Sequence, residues 1–165
     1  MAVEDLRLLT LTHWGFDGLV HTGQLVVAQD QVSNVVTVMR RLFDLRFPID
    51  RMEPVDNYGG DDDRSMAANN TSAFNCREVE SSPGTWSEHA YGLAIDINPV
   101  QNPYVPRSGE AQPPAGRAYT ERSDKRPGMV VAGDDVVAAF RSVGWEWGGN
   151  WAGSKDYQHF SSTGR

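Results

Sequence analysis

The stretch SEHAYGLAIDIN, residues 87–98, decides how this chain folds around its most informative side chains. Apolar residues alternate with small or polar ones over 93–97, which predicts a strand with its apolar face turned to a core. Asp96 falls on the other face, where a carboxylate is costly to bury unless something pairs with it. Gly92 permits a tight turn before the strand. His89 precedes that turn and is expected to fold back beside the Asp96 carboxylate.

A second informative block lies near the C-terminus, in WAGSKDYQHF, residues 151–160. A catalytic zinc ion keeps three protein ligands and one open position, and an imidazole with a carboxylate makes half of such a site. His159 is the candidate for the third ligand, beside His89 and Asp96. Asp156, three residues earlier, is placed to act as a general base if the chain bends before the strand that carries His159.

A simpler interpretation applies to each feature alone, because a single His–Asp pair is commonly a hydrogen-bonded structural pair. The metal hypothesis depends on the coincidence of several features: two histidines, two aspartates and a glycine turn fall in two short blocks, and a Trp-Gly-Gly run directly precedes the second block.

The rest of the chain predicts an α+β domain, a small, mainly antiparallel sheet with helices packed against it, in one domain spanning 1–165. Two early strands are expected in 6–16 and 24–28. A helix capped by Asp30 and running to about Leu45 follows, with an apolar stripe at helical spacing. A shorter helix is expected before Gly144, which suits the residue just past a helix end.

Three segments give weaker patterns. Residues 54–71 are polar and predict a solvated loop, and 72–79 predict a strand. Residues 99–132 contain six prolines and little periodicity. A stretch of that kind in a small domain is usually functional or mobile, and this one is a candidate to cover the substrate.

Composition excludes several functions. The net charge of −7 and the lack of basic runs argue against nucleic-acid binding, which needs clustered lysine and arginine. No apolar stretch approaches the roughly 20 residues that span a bilayer. The N-terminal residues lack the features of a signal peptide. Cys76 is the single cysteine, and a buried, inert side chain is expected there.

The block SEHAYGLAID resembles the pattern Ser-x-His-x-x-Gly-x-Ala-x-Asp of the D-alanyl-D-alanine carboxypeptidase and L-alanyl-D-glutamate endopeptidase family of zinc peptidases. WGGNWAGSKDYQHF resembles the same family's C-terminal signature, Trp-Gly-Gly-x-Trp followed by Asp-x-x-His-Phe. Both blocks match without a gap. The flanking residues resemble the carboxypeptidase-like branch, and the resemblance covers about residues 40–162. The implied fold is that shared with the lysostaphin and hedgehog group.

The resemblance implies one zinc ion per chain, with ligands at His89, Asp96 and His159. It implies that Asp156 is the catalytic acid/base. Family members also use an arginine upstream of the first ligand to stabilise the oxyanion. Arg77 is the first candidate for that role and Arg64 the second, because the usual Gly-Tyr-Arg-Ser context is absent.

The resemblance also implies a substrate, the peptide of bacterial peptidoglycan, and action at the cell wall on its extracellular or periplasmic side by a monomer. Ser87 matches the motif serine, and with Tyr91 and Trp151 it is a candidate substrate-binding residue. Carboxypeptidase and endopeptidase activity both stay open. Two alternatives remain: a non-catalytic zinc module that binds a cell-wall or protein partner, and a metal-free scaffold in which His89 and Asp96 merely pair.

Overall fold

A long hairpin and the helix that follows it form one side of the core. The computed structural model describes residues 2–79 and 82–165. Both predicted early strands are present, as β1 (Leu6–Trp14) and β2 (Val20–Ala28), although β2 begins four residues before the predicted start. They pair antiparallel along their full length. Helix α1 (Val32–Asp44) buries four residues of its apolar stripe against this hairpin, which confirms the helical periodicity: Val35, Val38, Met39 and Leu42.

The remaining elements are short. They are β3 (Arg51–Met52), α2 (Asp62–Ala67), β4 (Asn70–Thr71), β5 (Glu78–Val79), β6 (Ser82–Trp86), β7 (Ala94–Asp96), β8 (Tyr104–Val105), α3 (Asp135–Ser142), β9 (Glu146–Trp147), β10 (Lys155–Asp156) and β11 (His159–Ser161). Among the named strands of the described residues, β3 pairs with β4 in parallel and the other pairings are antiparallel, so the architecture is the expected α+β class. No helix in the described part of the chain has the length and apolarity to cross a bilayer.

A three-stranded sheet with the order β7-β11-β9 carries two of the predicted metal ligands, Asp96 and His159. Ile95 of β7 and Phe160 of β11 face the core, and the Phe160 ring stacks on Phe140 of α3 with the ring centroids 3.8 Å apart. Because side chains alternate along a strand, anchoring Phe160 in the core turns the neighbouring His159 to the opposite face. Core packing thus fixes which way the site residues point.

The predicted cap of α1 is wrong. A 3₁₀ turn at Gln29–Gln31 leads directly into the helix, and Gln31 rather than Asp30 occupies the capping position, without a side-chain cap. Because the turn continues into the helix, Asp30 lies a residue too early to reach the first free amides. The C-terminal prediction for α3 is confirmed, since Gly144 adopts a left-handed φ of 84° just beyond the helix.

The prediction of a solvated loop at 54–71 is also wrong. Asp61 caps α2 by accepting a hydrogen bond from Arg64 N at 3.0 Å, and the acidic residues after it suit the positive end of a helix. Ser65 and Met66 are buried. The run of aspartates therefore starts a helix that packs on the domain.

Of residues 72–79, which were predicted to form a strand, only Glu78–Val79 do so. Ser72 makes an isolated bridge to Asp96, and Phe74 N donates to Val26 O, so successive residues bond to different neighbours. Cys76 is exposed, contrary to expectation, because it lies on a segment without a continuous buried face.

Residues 99–132 contain the short strand β8 and are also held to the domain by side-chain hydrogen bonds. The Asn102 side chain donates to Ile97 O and Gly128 O and accepts from Val130 N at 2.7 Å. Arg122 donates to Asn102 Oδ1 at 2.8 Å. These bonds satisfy backbone groups that a loop of this composition leaves free, and they tie the segment to the core.

Candidate metal centre

His89 is oriented by the turn that carries it. The turn is a 3₁₀ segment, Glu88–Tyr91, capped by the Ser87 hydroxyl, which accepts from His89 N at 3.3 Å. Nδ1 of His89 donates to Ala73 O at 2.6 Å. Because a carbonyl only accepts, this bond places the proton on Nδ1 and leaves Nε2 with a free lone pair.

Gly92 ends that turn in a left-handed conformation, with φ of 65°. A Cβ at this position would lie 2.6 Å from Ala28 N, which donates to Gly92 O at 3.0 Å. Both the turn and the close approach to β2 therefore require glycine, as the sequence predicted for the turn.

Asp96 and His159 are direct cross-strand partners in the β7–β11 pair. Residues opposite one another in an antiparallel pair have their side chains on the same face of the sheet. His159 Nε2 donates to Arg165 O at 2.9 Å, so its Nδ1 is the nitrogen with a free lone pair. All three predicted ligands are buried.

The donor groups of these three side chains converge in a triangle, in which Asp96 turns a different carboxylate oxygen towards each histidine. His89 Nε2 lies 3.2 Å from His159 Nδ1 and 3.2 Å from Asp96 Oδ2, and His159 Nδ1 lies 3.1 Å from Asp96 Oδ1. Ligand bonds of about 2.0–2.1 Å in a tetrahedral zinc site place donor atoms about 3.3 Å apart. The two ring nitrogens, 3.2 Å apart, match this spacing, and one donor atom from each of the three residues lies within 4.8 Å of the other two.

Electrostatics favours a cation at the centre of this triangle. Burial raises the pKa of Asp96, but the charge of His89 and the hydrogen bond of His159 outweigh it and hold the pKa well below its usual range. Burial lowers the pKa of His159, but the hydrogen bond to Asp96 and the negative charge of Asp96 together raise that pKa to about 9. Three converging lone pairs in a buried site repel one another, and a proton or a metal ion removes that repulsion.

Asp156 lies beside the triangle without being part of it. It pairs with Tyr104 in the β10–β8 ladder, and the bend before β11 falls at Tyr157 and Gln158, just after the predicted position. Its Oδ1 is buried and has no hydrogen-bond partner among the described residues. Burial, and then the charge of Asp96, raise the pKa of Asp156 to about 7.

Comparison with known families identifies the family of this chain. The family described as D-alanyl-D-alanine carboxypeptidase matches residues 80–162, about half of the chain. The chain belongs to this family. The matched range contains both informative blocks of the sequence, as the resemblance implied. No solved structure matches the chain.

Both candidates for the oxyanion arginine, Arg77 and Arg64, lie outside the range matched to the carboxypeptidase family, so only the structure distinguishes them. Arg77 forms an ion pair with Asp62, with Nη2 and Oδ2 2.9 Å apart, and its charge acts on the pKa of Asp156. Arg64 is exposed on α2. Of the two candidates, Arg77 is therefore the one whose charge acts on Asp156, and Asp62 is a partner of Arg77 that the sequence interpretation missed.

Each of the three predicted substrate-binding residues of this carboxypeptidase-family chain lies near one of the predicted metal ligands. The Trp151 ring centroid is 5.4 Å from that of His159, and its Nε1 donates to Gly164 O at 3.1 Å. Tyr91 is half-buried at the end of the turn that carries His89. Ser87 is buried and its hydroxyl caps that turn, so its contact within the protein is to the ligand-bearing segment.

Proposed function

We propose that this peptidase is zinc-dependent and hydrolyses peptide bonds in the stem peptide of bacterial peptidoglycan, at the cell wall. The observation that carries the proposal is the triangle of His89 Nε2, Asp96 and His159 Nδ1 beside the unpaired Oδ1 of Asp156. The match to the D-alanyl-D-alanine carboxypeptidase family supports both the reaction and the cell-wall substrate.

The donor set suits zinc in particular. Two imidazoles and one carboxylate with an open fourth position are typical of catalytic zinc sites. Each histidine also donates its second ring N–H to a backbone oxygen, Ala73 O or Arg165 O, the kind of outer partner that orients metal-ligating histidines. A bound zinc ion supplies Lewis acidity and lowers the pKa of water to near 7.

Asp156 moves the proton in this mechanism. A carboxylate whose pKa is raised towards neutrality accepts a proton from the attacking water and can release it again to the leaving amine. Its buried Oδ1 has no competing partner among the described residues and is therefore free for this role. Arg77 places a positive charge where the oxyanion of the tetrahedral intermediate develops.

We expect Arg77→Ala to lower kcat by roughly 10²- to 10³-fold, the usual loss for one oxyanion-stabilising group. Zinc content should not change, because Arg77 contacts none of the three ligands. Arg64→Ala is the matched control, since it removes the same charge from an exposed position on α2. Steady-state kinetics and metal analysis on both variants check this. A silent Arg77→Ala beside an impaired Arg64→Ala would reverse the assignment.

The pH dependence of kcat/KM should reflect the ionisation of the Asp156 carboxyl group. In the metal-free site its pKa is about 7, and added positive charge lowers that value towards the ordinary 3.8. Because only the ionised carboxylate accepts a proton, we expect kcat/KM to fall as pH decreases through a value between these two. The measurement is a pH–rate profile with zinc content determined at each pH. A rate that stays constant down to pH 4 with zinc retained would contradict the assignment.

A non-catalytic zinc module is the second candidate for this fold. A structural zinc site has no use for a buried, unpaired carboxylate beside the ligands, so Asp156 favours the enzyme. Digestion of defined stem peptides, read by mass spectrometry, tests the proposal. Loss of the terminal D-alanine identifies a carboxypeptidase, cleavage between L-alanine and D-glutamate identifies an endopeptidase, and intact peptides with zinc-loaded protein would support the module instead.

A further inference from the structure

The Asp62 carboxylate is shared between two side chains of the segment that precedes the zinc-ligand block. Its Oδ2 pairs with Arg77 Nη2 at 2.9 Å, and its Oδ1 accepts from Asn75 Nδ2 at 3.0 Å. Asp62 lies in the first turn of α2, which the Asp61 cap holds in place. The position of the Asp62 carboxylate is therefore set by α2 and not by the segment that carries Asn75 and Arg77.

The backbone of that segment is already fixed to the metal centre. Asn75 N donates to His89 O at 3.1 Å, and Ser87 N donates to Arg77 O at 3.1 Å. These bonds position the Cα of Arg77 but leave its long side chain free to rotate. The ion pair to Asp62 restrains that side chain. Water screens the pair little, because the Arg77 side chain is only 30 % exposed and the Asp62 side chain 23 %.

The geometry of the pair leaves part of the guanidinium available. A carboxylate and an arginine commonly form two parallel hydrogen bonds, which occupy two nitrogens of the guanidinium. Here Asn75 holds the second carboxylate oxygen, so the pair to Arg77 is through Nη2 alone. Arg77 Nε is buried with no partner among the described residues. The guanidinium therefore keeps hydrogen-bonding capacity that the described residues do not use.

We propose that Asp62 is a positioning residue that aims Arg77 at the scissile carbonyl. This inference rests on the role of Arg77 in the proposed function. Asp62 touches no reacting atom; it fixes the rotamer of Arg77 through one oxygen while Asn75 keeps the other oxygen occupied. The arginine then meets the developing oxyanion without first having to be ordered.

The first test compares Asp62→Asn with Asp63→Asn. Both variants remove one negative charge from the first turn of α2, so their effects on the helix dipole are matched, but Asp63 is exposed and is the control. We expect Asp62→Asn to lower kcat by roughly tenfold to a hundredfold, the usual loss for a partner that orients a functional group, with KM and zinc content nearly unchanged. Asp63→Asn should retain full activity. Equal effects of the two variants would overturn the proposal.

A double-mutant cycle separates positioning from a direct role. If Asp62 acts only through Arg77, then Asp62→Asn should change kcat by less than about twofold in an Arg77→Ala background. The same loss in both backgrounds would overturn the proposal. Asp62→Glu keeps the charge but moves the carboxylate by one methylene, and it should also lower kcat. If Asp62→Asn melts early, this variant provides the kinetic test.

The orientation of Arg77 can also be read without turnover, from its Nε–H resonance in zinc-loaded protein labelled with ¹⁵N. We expect a sharp, slowly exchanging signal in the parent protein and in Asp63→Asn, and a broadened one in Asp62→Asn. If these signals are found in a protein that cleaves no stem peptide, the proposed function is wrong but Asp62 still positions Arg77. An unchanged signal in Asp62→Asn would overturn the positioning itself.

Discussion

Asp156→Asn is expected to lower kcat by roughly 10²- to 10⁴-fold, the usual contribution of a general acid–base group. Asparagine keeps the shape and volume of the side chain but accepts no proton from water. Asp156 is outside the donor triangle, so zinc content and melting temperature should stay close to those of the parent protein. Peptide cleavage, metal analysis and thermal melts on the same preparations measure all three quantities.

The matched control for this variant is Asp135→Asn, which makes the same chemical change at an exposed position of α3. It should be fully active. If Asp156→Asn instead loses its zinc, Asp156 is a ligand and the assignment of roles is wrong. If it stays fully active, the base is another residue, and Glu88 is then the residue to test.

His89→Ala should fail in a different way, by losing the metal. Only two protein ligands remain, and a coordination bond to a buried nitrogen is gone. A metal that binds only the folded state stabilises it by about 3–4 kcal/mol at 100 to 1,000 times its Kd. In a chain of this size that free energy corresponds to roughly 5–15 °C in melting temperature. Elemental analysis and thermal melts in zinc-containing buffer measure both effects.

Two comparisons make this result specific. His21→Ala removes a histidine whose side chain is 45 % exposed and paired with Asp17, so it should keep one zinc per chain. Treating the parent protein with a chelator should lower its melting temperature towards that of His89→Ala. A His89→Ala protein that still binds one zinc ion with full stability would show that His89 is not a ligand.

The local part of the site is predictable from the sequence because short-range geometry determines it. The alternation in 93–97 places Asp96 on the face away from the core, and Gly92 turns the preceding segment back towards it. The partnership with His159 is of another kind. It depends on a strand register between residues 63 positions apart, so zinc-ligand chemistry and the family resemblance suggested the pairing but no local pattern fixed it.

Asp62 could not be predicted for a related reason. The run Asp61–Asp63 has the composition of a solvated loop, and nothing in it shows that the first residue caps a helix or that the second reaches Arg77. Capping depends on which backbone amides are free, and the ion pair depends on how α2 packs against residues 75–77. Both properties arise only in the folded chain.

The proline-rich segment 99–132 illustrates the same limit. Its six prolines and weak periodicity predict an unstructured stretch. In the fold, Asn102 and Arg122 supply hydrogen bonds that regular structure would otherwise provide. A buried side chain that bonds several distant carbonyls leaves no periodic pattern, so a sequence of this kind is easily taken for a mobile loop.

The central claim is that His89, Asp96 and His159 hold one zinc ion on which peptide cleavage depends. The most direct test is to titrate zinc into chelator-treated protein and to measure cleavage of a defined stem peptide at each step. We predict that activity appears with the first zinc added and reaches its maximum at one ion per chain. Zinc uptake to one equivalent without cleavage, or cleavage that does not change with zinc, would contradict the claim.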